Sequence, residues 1–360
     1  MKRAALLLGI ALFIALVAWQ GGGSVVSTLA VAGWGLLPVA MFHLAPLALD
    51  AAAIDVLMKP RADRRSRMFR ISRMALLARW SGESVNSLMP AGQLGGPALM
   101  IRHLSHQGMQ MSDAAAAITV STTLQTAAQL VFAVIGVVVF AACQAHASSV
   151  ISTVHAAYID GMASAGARDL RMPLTVIFFV CATLLYGFYA VQRRGLFGRL
   201  MRVVAKAGAR RPGNWSTWLT HADGIDIAIH ALYSKRSKLA WSFSLSLAGW
   251  VIGTGEVWLG LKLVGHPLGW VEALLLESLG QAIRGAAFMI PGSLGVQEAG
   301  YLLLAPLVGL PPEAALALSL VKRAREALLG LPGLAYLHWS ERRWRRRPPG
   351  PAPGVDGRTE

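Results

Sequence analysis

The sequence predicts an all-α polytopic membrane protein, and three observations carry that reading. Of its 360 residues, 55% are hydrophobic and only 14% charged, whereas a soluble domain carries roughly 25% charged residues; mean hydropathy is +0.51. The apolar residues gather into segments at about 4–19, 29–49, 74–100, 114–143, 172–191, 239–264, 268–290, 294–310 and 314–338. Most of the 34 Lys and Arg fall between these segments, in Lys2-Arg3, Lys59 to Arg73, Arg193 to Lys238 and the tail from Arg342. Cytoplasmic loops have that composition. The net charge of +16 is therefore assigned to anionic lipid headgroups, and nucleic acid is not expected as a partner.

The first segment, Ala4 to Ala18 after Met1-Lys2-Arg3, imitates a signal peptide. No small-x-small site precedes Trp19-Gln20-Gly21, so it is read as a retained first span. The second, 29–49, reads as a span. The third is broken by Gly82, Glu83, Asn86, Pro90, Gly92, Gln93 and Pro97. Unwound backbone cannot face hydrocarbon, so such a break must be wrapped in protein or line a wet cavity. The fourth and fifth (114–143 and 172–191) and the sixth (239–264) read as spans. The pair 268–290 and 294–310 flanks a second break, Pro291-Gly292-Ser293-Leu294-Gly295, and 314–338 closes the series.

Both termini are basic and are expected on the cytoplasmic side, so the number of crossings is even. The first broken segment lies between two basic patches, Lys59 to Arg73 and Arg102-His103 with His106, and is predicted to enter and return. Six full spans plus two re-entrant hairpins satisfy parity; so do about eight spans by hydropathy. In the six-plus-two arrangement each half holds span, span, hairpin, span, and the halves enter from opposite faces as an inverted repeat. Residues 1–343 then form one transmembrane domain, half one over about 1–143 and half two over about 172–338. An amphipathic cytoplasmic connection fills 192–238, with Leu196 to Lys206 lying on the membrane surface. The Pro-rich tail 344–360 is expected to be disordered.

Polar residues inside the apolar segments mark the candidate site. Lys322, Arg323, Arg325 and Glu326 begin eight residues into the last span, about 12 Å deep. Each charge facing lipid there would cost roughly 2.5–3.5 kcal/mol, so most must face protein or water. Pairing along the helix, Arg323 with Glu326 and Lys322 with Glu326, is open to them, as is pairing with Glu277 and Glu298. Arg79, Glu83, Asn86, Pro90, Gln93 and Arg102 stand around the first break, and Glu277, Gln281, Arg284, Pro291, Gly292, Gly295 and Glu298 around the second. Gln125 and Gln129, one turn apart, are read as interhelical hydrogen-bonding residues. His43, His103, His106 and His266 show no metal spacing and are placed at the interface. The two cysteines, Cys143 and Cys181, form no metal framework and are read as small apolar residues. No nucleophile elbow, zinc-protease helix or phosphate loop occurs, so no cofactor, metal or catalytic residue is assigned.

Asn86-Ser-Leu-Met-Pro90-Ala-Gly92, then Ile290-Pro291-Gly292-Ser-Leu-Gly295-Val-Gln297-Glu298, then Lys322-Arg323 together resemble the lysylphosphatidylglycerol synthase transmembrane-region family. Within it the chain most resembles the hopanoid-biosynthesis-associated HpnL-type membrane proteins. The resemblance covers about residues 4–338. Bifunctional members carry a soluble C-terminal aminoacyl-transfer domain, which this sequence lacks, so aminoacylation is not expected. What the resemblance implies is the lipid-translocating half: a flippase-like transporter of hopanoid or anionic lipids in the bacterial inner membrane, with membrane lipids and lipid-biosynthesis enzymes as partners. Arg284, Arg323, Arg325 and Glu298 would meet the headgroup. The alternative is an intramembrane headgroup-modifying enzyme or an accessory subunit of such a system.

Overall fold

The computed structural model describes residues 33–58, 72–89, 95–155, 215–286, 293 and 295–345. These residues are helical, with no strand among them. The helices are α1 (Leu36–Leu57), α2 (Arg73–Leu88), α3 (Gly95–His106), α4 (Met111–His155), α5 (Trp215–Tyr233), α6 (Arg236–Leu263), α7 (Trp270–Ala286), α8 (Val296–Leu304) and α9 (Pro312–Arg345). The expected segments 4–19 and 172–191, the surface helix at Leu196 to Lys206, and Pro90, Gln93, Pro291 and Gly292 lie outside the described residues.

Local chemistry sets the ends of these helices. Ser72 caps α2, its hydroxyl accepting from the Ala75 N–H at 3.2 Å. At the other end Met89 is extended, as the residue before a proline prefers. Proline at the third position of α3 and the first of α9 supplies no N–H where a helix start needs none. Gly295 precedes α8 with φ +75, and Ser293 stands at φ +50, a backbone region that side chains rarely adopt.

By length and composition α1 with its preceding turn (Gly33–Leu57) and the first part of α4 (Met111–Phe140) suffice to cross a membrane. Helices α6 and α9 are also long enough but carry charges near their middles. The segment 74–100 resolves into two helices that turn back on each other: Asn86 lies against Gly96, and Gly82 against Met100. The segment around 268–310 does the same, with Gly280 against Tyr301 and Gly300 against Ile283. The described helices on either side of each break thus lie antiparallel to one another.

The packing repeats. Helices α1, α2, α3 and α4 correspond in order to α6, α7, α8 and α9. Each neighbour pair has its counterpart: α2 packs on α9 as α7 packs on α4, α1 on α2 as α6 on α7, α3 on α4 as α8 on α9. The pair α1 and α6 is its own counterpart and runs antiparallel, Gly35 lying by Leu263, Phe42 by Gly255 and Pro46 by Gly249. At that last point a Cβ on Gly249 would stand 3.6 Å from the Pro46 carbonyl oxygen, an ordinary contact distance, so the helices cross with room for no side chain larger than a methyl group between them.

Two apolar cores flank this seam. One joins Ile54, Leu57, Ala78, Leu104, Ile118 and Ile229 from α1 to α5; the other joins Val257, Leu261, Leu276, Tyr301, Ala315 and Leu318 from α6 to α9. Ile229 corrects one expectation. The 192–238 stretch is not all surface connection, because α5 buries Ile229 and part of Leu232 in the first core. The tail also begins later than 344. Helix α9 runs to Arg345, and Trp344 stacks on His106 with ring centroids 4.4 Å apart.

Candidate functional site

Between the two cores lies a polar cavity of about 220 Å³ whose walls come from both repeats. Helical spacing aims the side chains. His43 and Asp50 stand two turns apart on α1. Arg79, Glu83 and Asn86 on α2 follow the same i, i+4, i+7 spacing as Glu277, Gln281 and Arg284 on α7, which places each trio on one helix face. Glu256 enters from α6, and Arg325 and Glu326 from α9.

Every cation in this layer has a carboxylate on another helix. Lys322, 1% exposed, holds Glu277 at 2.5 Å, and its ammonium stands 5.8 Å from the Tyr301 ring centroid. Arg325 donates from Nε to Glu256 at 3.0 Å, and Arg284 meets Glu326 at 2.6 Å. Arg323 reaches Glu298 at 3.2 Å and Glu326 at 3.3 Å, and donates to the Ser293 carbonyl at 3.1 Å. Arg79 donates to Asp50 at 2.7 Å, and the same carboxylate oxygen accepts from Gln125 at 2.7 Å. A buried charge costs several kcal/mol unless paired and hydrogen-bonded. Distributed pairing is what lets six carboxylates (Asp50, Glu83, Glu256, Glu277, Glu298 and Glu326) share one buried layer with five Arg and Lys side chains.

His43 sits at the centre. Its Nδ1 is 2.7 Å from Glu256 Oε2 and its Nε2 2.8 Å from Glu83 Oε1. The guanidinium of Arg325 is 3.0 Å from the same Nε2. The layer is graded in exposure: Glu256, Glu277, Lys322, Arg325 and Glu326 are buried, while the Glu83 side chain is 25% exposed and forms the wettest edge.

The structure sorts the predicted residues into three groups. Arg79, Glu83, Asn86, Glu277, Gln281, Arg284, Arg325 and Glu326 line the cavity. Lys322, Arg323 and Glu298 stand behind its wall, where Arg323 ties Glu298 to the Ser293 carbonyl. Their ion pairs hold the second hairpin, outside the lining of this cavity. Arg102 lies elsewhere: α3 leads away from the cavity after Met100, and Arg102 pairs with Glu341 at 3.2 Å near the end of α9. Gly295 does not line the cavity; its positive φ serves the entry into α8.

The pairing expected along α9 is half right. Arg323 does meet Glu326, but the partner of Lys322 is Glu277, 45 positions away in sequence. His43, Asp50 and Glu256 also line the cavity, beyond the residues the sequence singled out. The i, i+7 spacing of His43 and Asp50 on an otherwise apolar helix is the signal that would have found them. Gln125 and Gln129 do act between helices, Gln129 donating to the Gln281 carbonyl. Among the described residues no group of three His, Cys, Asp or Glu side chains is arranged to hold a metal ion.

The family model described as "Lysylphosphatidylglycerol synthase TM region" matches residues 6–333, nearly the whole chain. No curated protein and no solved structure matches it.

Proposed function

The chain belongs to the lysylphosphatidylglycerol synthase transmembrane-region family, membrane proteins related to lipid modification, and from that premise we propose that it moves a lipid between leaflets through the polar cavity. The observation that supports this most is the cavity itself: an ion-paired layer midway along α1 and α6, lined by both hairpins. Its volume of about 220 Å³ is below that of a pocket enclosing a drug-sized ligand, roughly 300–1,000 Å³. It suits a headgroup whose tails remain in the bilayer.

An anionic headgroup enters by sharing donors. Arg79, Arg284 and Arg325 face the cavity, and each carries more N–H donors than its carboxylate uses, so a phosphate is held beside the existing pairs and no buried carboxylate is left bare. Two equivalent helices that run antiparallel are related by an axis perpendicular to their length. With α1 and α6 crossing the bilayer, that axis lies in the membrane plane, as in an inverted repeat. Rocking one repeat against the other then opens the cavity to alternate leaflets. The lipid we assign is an anionic phospholipid or a hopanoid carrying a polar headgroup, the chain being a member of the HpnL-type branch in the bacterial inner membrane with both termini cytoplasmic.

The test is a leaflet-resolved assay in reconstituted vesicles with fluorescent phosphatidylglycerol. Wild-type protein speeds exchange between leaflets, and Arg325→Gln slows it about ten- to a hundredfold, the range expected for losing charge-assisted hydrogen bonds worth roughly 1.5–3 kcal/mol. Equal exchange with and without protein sinks the reading. The family's description also names a synthase, which supports headgroup modification as the second reading. Mass spectrometry of lipid extracts with and without the gene separates the two, since only an enzyme adds or removes a lipid species.

A further inference from the structure

The buried layer is one positive charge short. Among the described residues its carboxylates are Asp50, Glu83, Glu256, Glu277, Glu298 and Glu326, and its permanent cations are Arg79, Arg284, Lys322, Arg323 and Arg325. Neutrality needs one added proton, and the side chain suited to carry it is His43, wedged between two carboxylates.

The ring has two stable sets of partners. With both nitrogens protonated it donates from Nδ1 to Glu256 and from Nε2 to Glu83. An arginine can only donate, so the 3.0 Å approach of Arg325 Nη1 to Nε2 becomes a hydrogen bond when Nε2 has lost its proton. Glu83 is not stranded by that loss, because Arg325 stands 3.5 Å and Arg79 3.8 Å from it. The groups facing His43 are thus Glu83 and Arg79 from α2, Glu256 from α6 and Arg325 from α9, with Asp50 on its own helix. Glu83, the most exposed of them, connects the ring to water in the cavity.

We propose that His43 binds one exchangeable proton and that lipid movement is coupled to it. Loading ties α1 to α2 and to α6, one helix from each repeat. Release passes the proton from Nε2 through the Glu83 carboxylate to cavity water, hands Nε2 to Arg325 and turns Glu83 toward Arg79 and Arg325. The contact across the seam therefore differs between the two states. The coupling rests on the transport reading above; the proton site does not.

Two measurements separate them. In proteoliposomes holding fluorescent phosphatidylglycerol, with the membrane potential clamped at zero by valinomycin and equal potassium, a one-unit pH gradient should drive the leaflet ratio up to about tenfold from unity for one proton per lipid. In His43→Gln the ratio should be the same with and without the gradient. Wild-type protein that equilibrates lipid identically in both conditions overturns the coupling. If no lipid moves at all, the transport reading fails and the coupling with it, and the proton site is decided by infrared difference spectra of the full-length wild-type protein in lipid. An imidazole–imidazolium band that changes with pH and is missing from His43→Gln supports the site; spectra identical for the two proteins overturn it.

Discussion

The two hairpins share a design and differ in how they are held. In the first, α2 and α3 approach through small residues. Asn86 accepts the Gly96 N–H at 2.8 Å, and Arg79 and Glu83 point into the wet part of the cavity. In the second, three ion pairs surround α7 and α8: Lys322 with Glu277, Arg323 with Glu298, and Arg284 with Glu326. Their partners all come from α9. One hairpin is fixed by interlocking backbone and leaves its charges exchangeable. The other is fixed by its charges. The rigid side of the site is therefore half two, and its adaptable side is half one.

The largest effect expected from this contrast is at Glu277. Replacing it with Ala strands the Lys322 ammonium and should cost about 3–5 kcal/mol, whereas Glu277→Leu combined with Lys322→Met should recover most of the loss. Thermal denaturation in detergent measures both. The corresponding change in the first hairpin, Glu83→Ala, should cost only about 1.5–3 kcal/mol, because its partners Arg79 and Arg325 keep Asp50 and Glu256. A loss equal to that of Glu277→Ala would erase the distinction.

Glycine substitutions should invert the order. A Cβ on Gly96 would stand 2.6 Å from the Gly82 carbonyl oxygen, which belongs to backbone and cannot rotate away. Gly96→Ala should cost about 1–3 kcal/mol. In the second hairpin a Cβ on Gly300 meets only the Ile283 side chain, at 3.3 Å. Gly300→Ala should be nearly neutral, since the gain of about 1 kcal/mol in helix propensity offsets the contact. The smallest effect belongs to the exposed pair Arg102–Glu341, where Glu341→Gln should cost about 0.2–1 kcal/mol and less at high salt. A comparison of melting temperatures at low and high salt checks it.

Much of this arrangement was legible in the sequence, for physical reasons that also mark where legibility stopped. Proline and glycine inside apolar segments gave both bends, because neither residue can be hidden in a spanning helix without a structural reason. Depth alone showed that Lys322 to Glu326 must be paired. Two of their partners, Glu277 and Glu298, were legible as the carboxylates flanking the second break; Glu256 was not, since it reaches Arg325 from 69 positions away on a helix with no break to mark it. His43 escaped for the same reason. A single histidine on an apolar helix resembles an interfacial residue until the helices carrying Glu83 and Glu256, 40 and 213 positions distant, are brought beside it.

The crossing of α1 and α6 at Pro46 and Gly249 has a mechanical consequence. Pro46 lacks the N–H that would bond the Phe42 carbonyl, which loosens α1 at that turn, and Gly249 places no side chain opposite it, so α1 can bend where it crosses α6. From Pro46 to Leu57 is about 16 Å of lever arm at 1.5 Å per residue, and a tilt of roughly 10° swings the far end of α1 by about 3 Å over that length. His43 lies only three residues, about 4.5 Å, from that turn and shifts by less than about 1 Å in the same tilt, so it keeps its place between its partners while the far end of α1 travels.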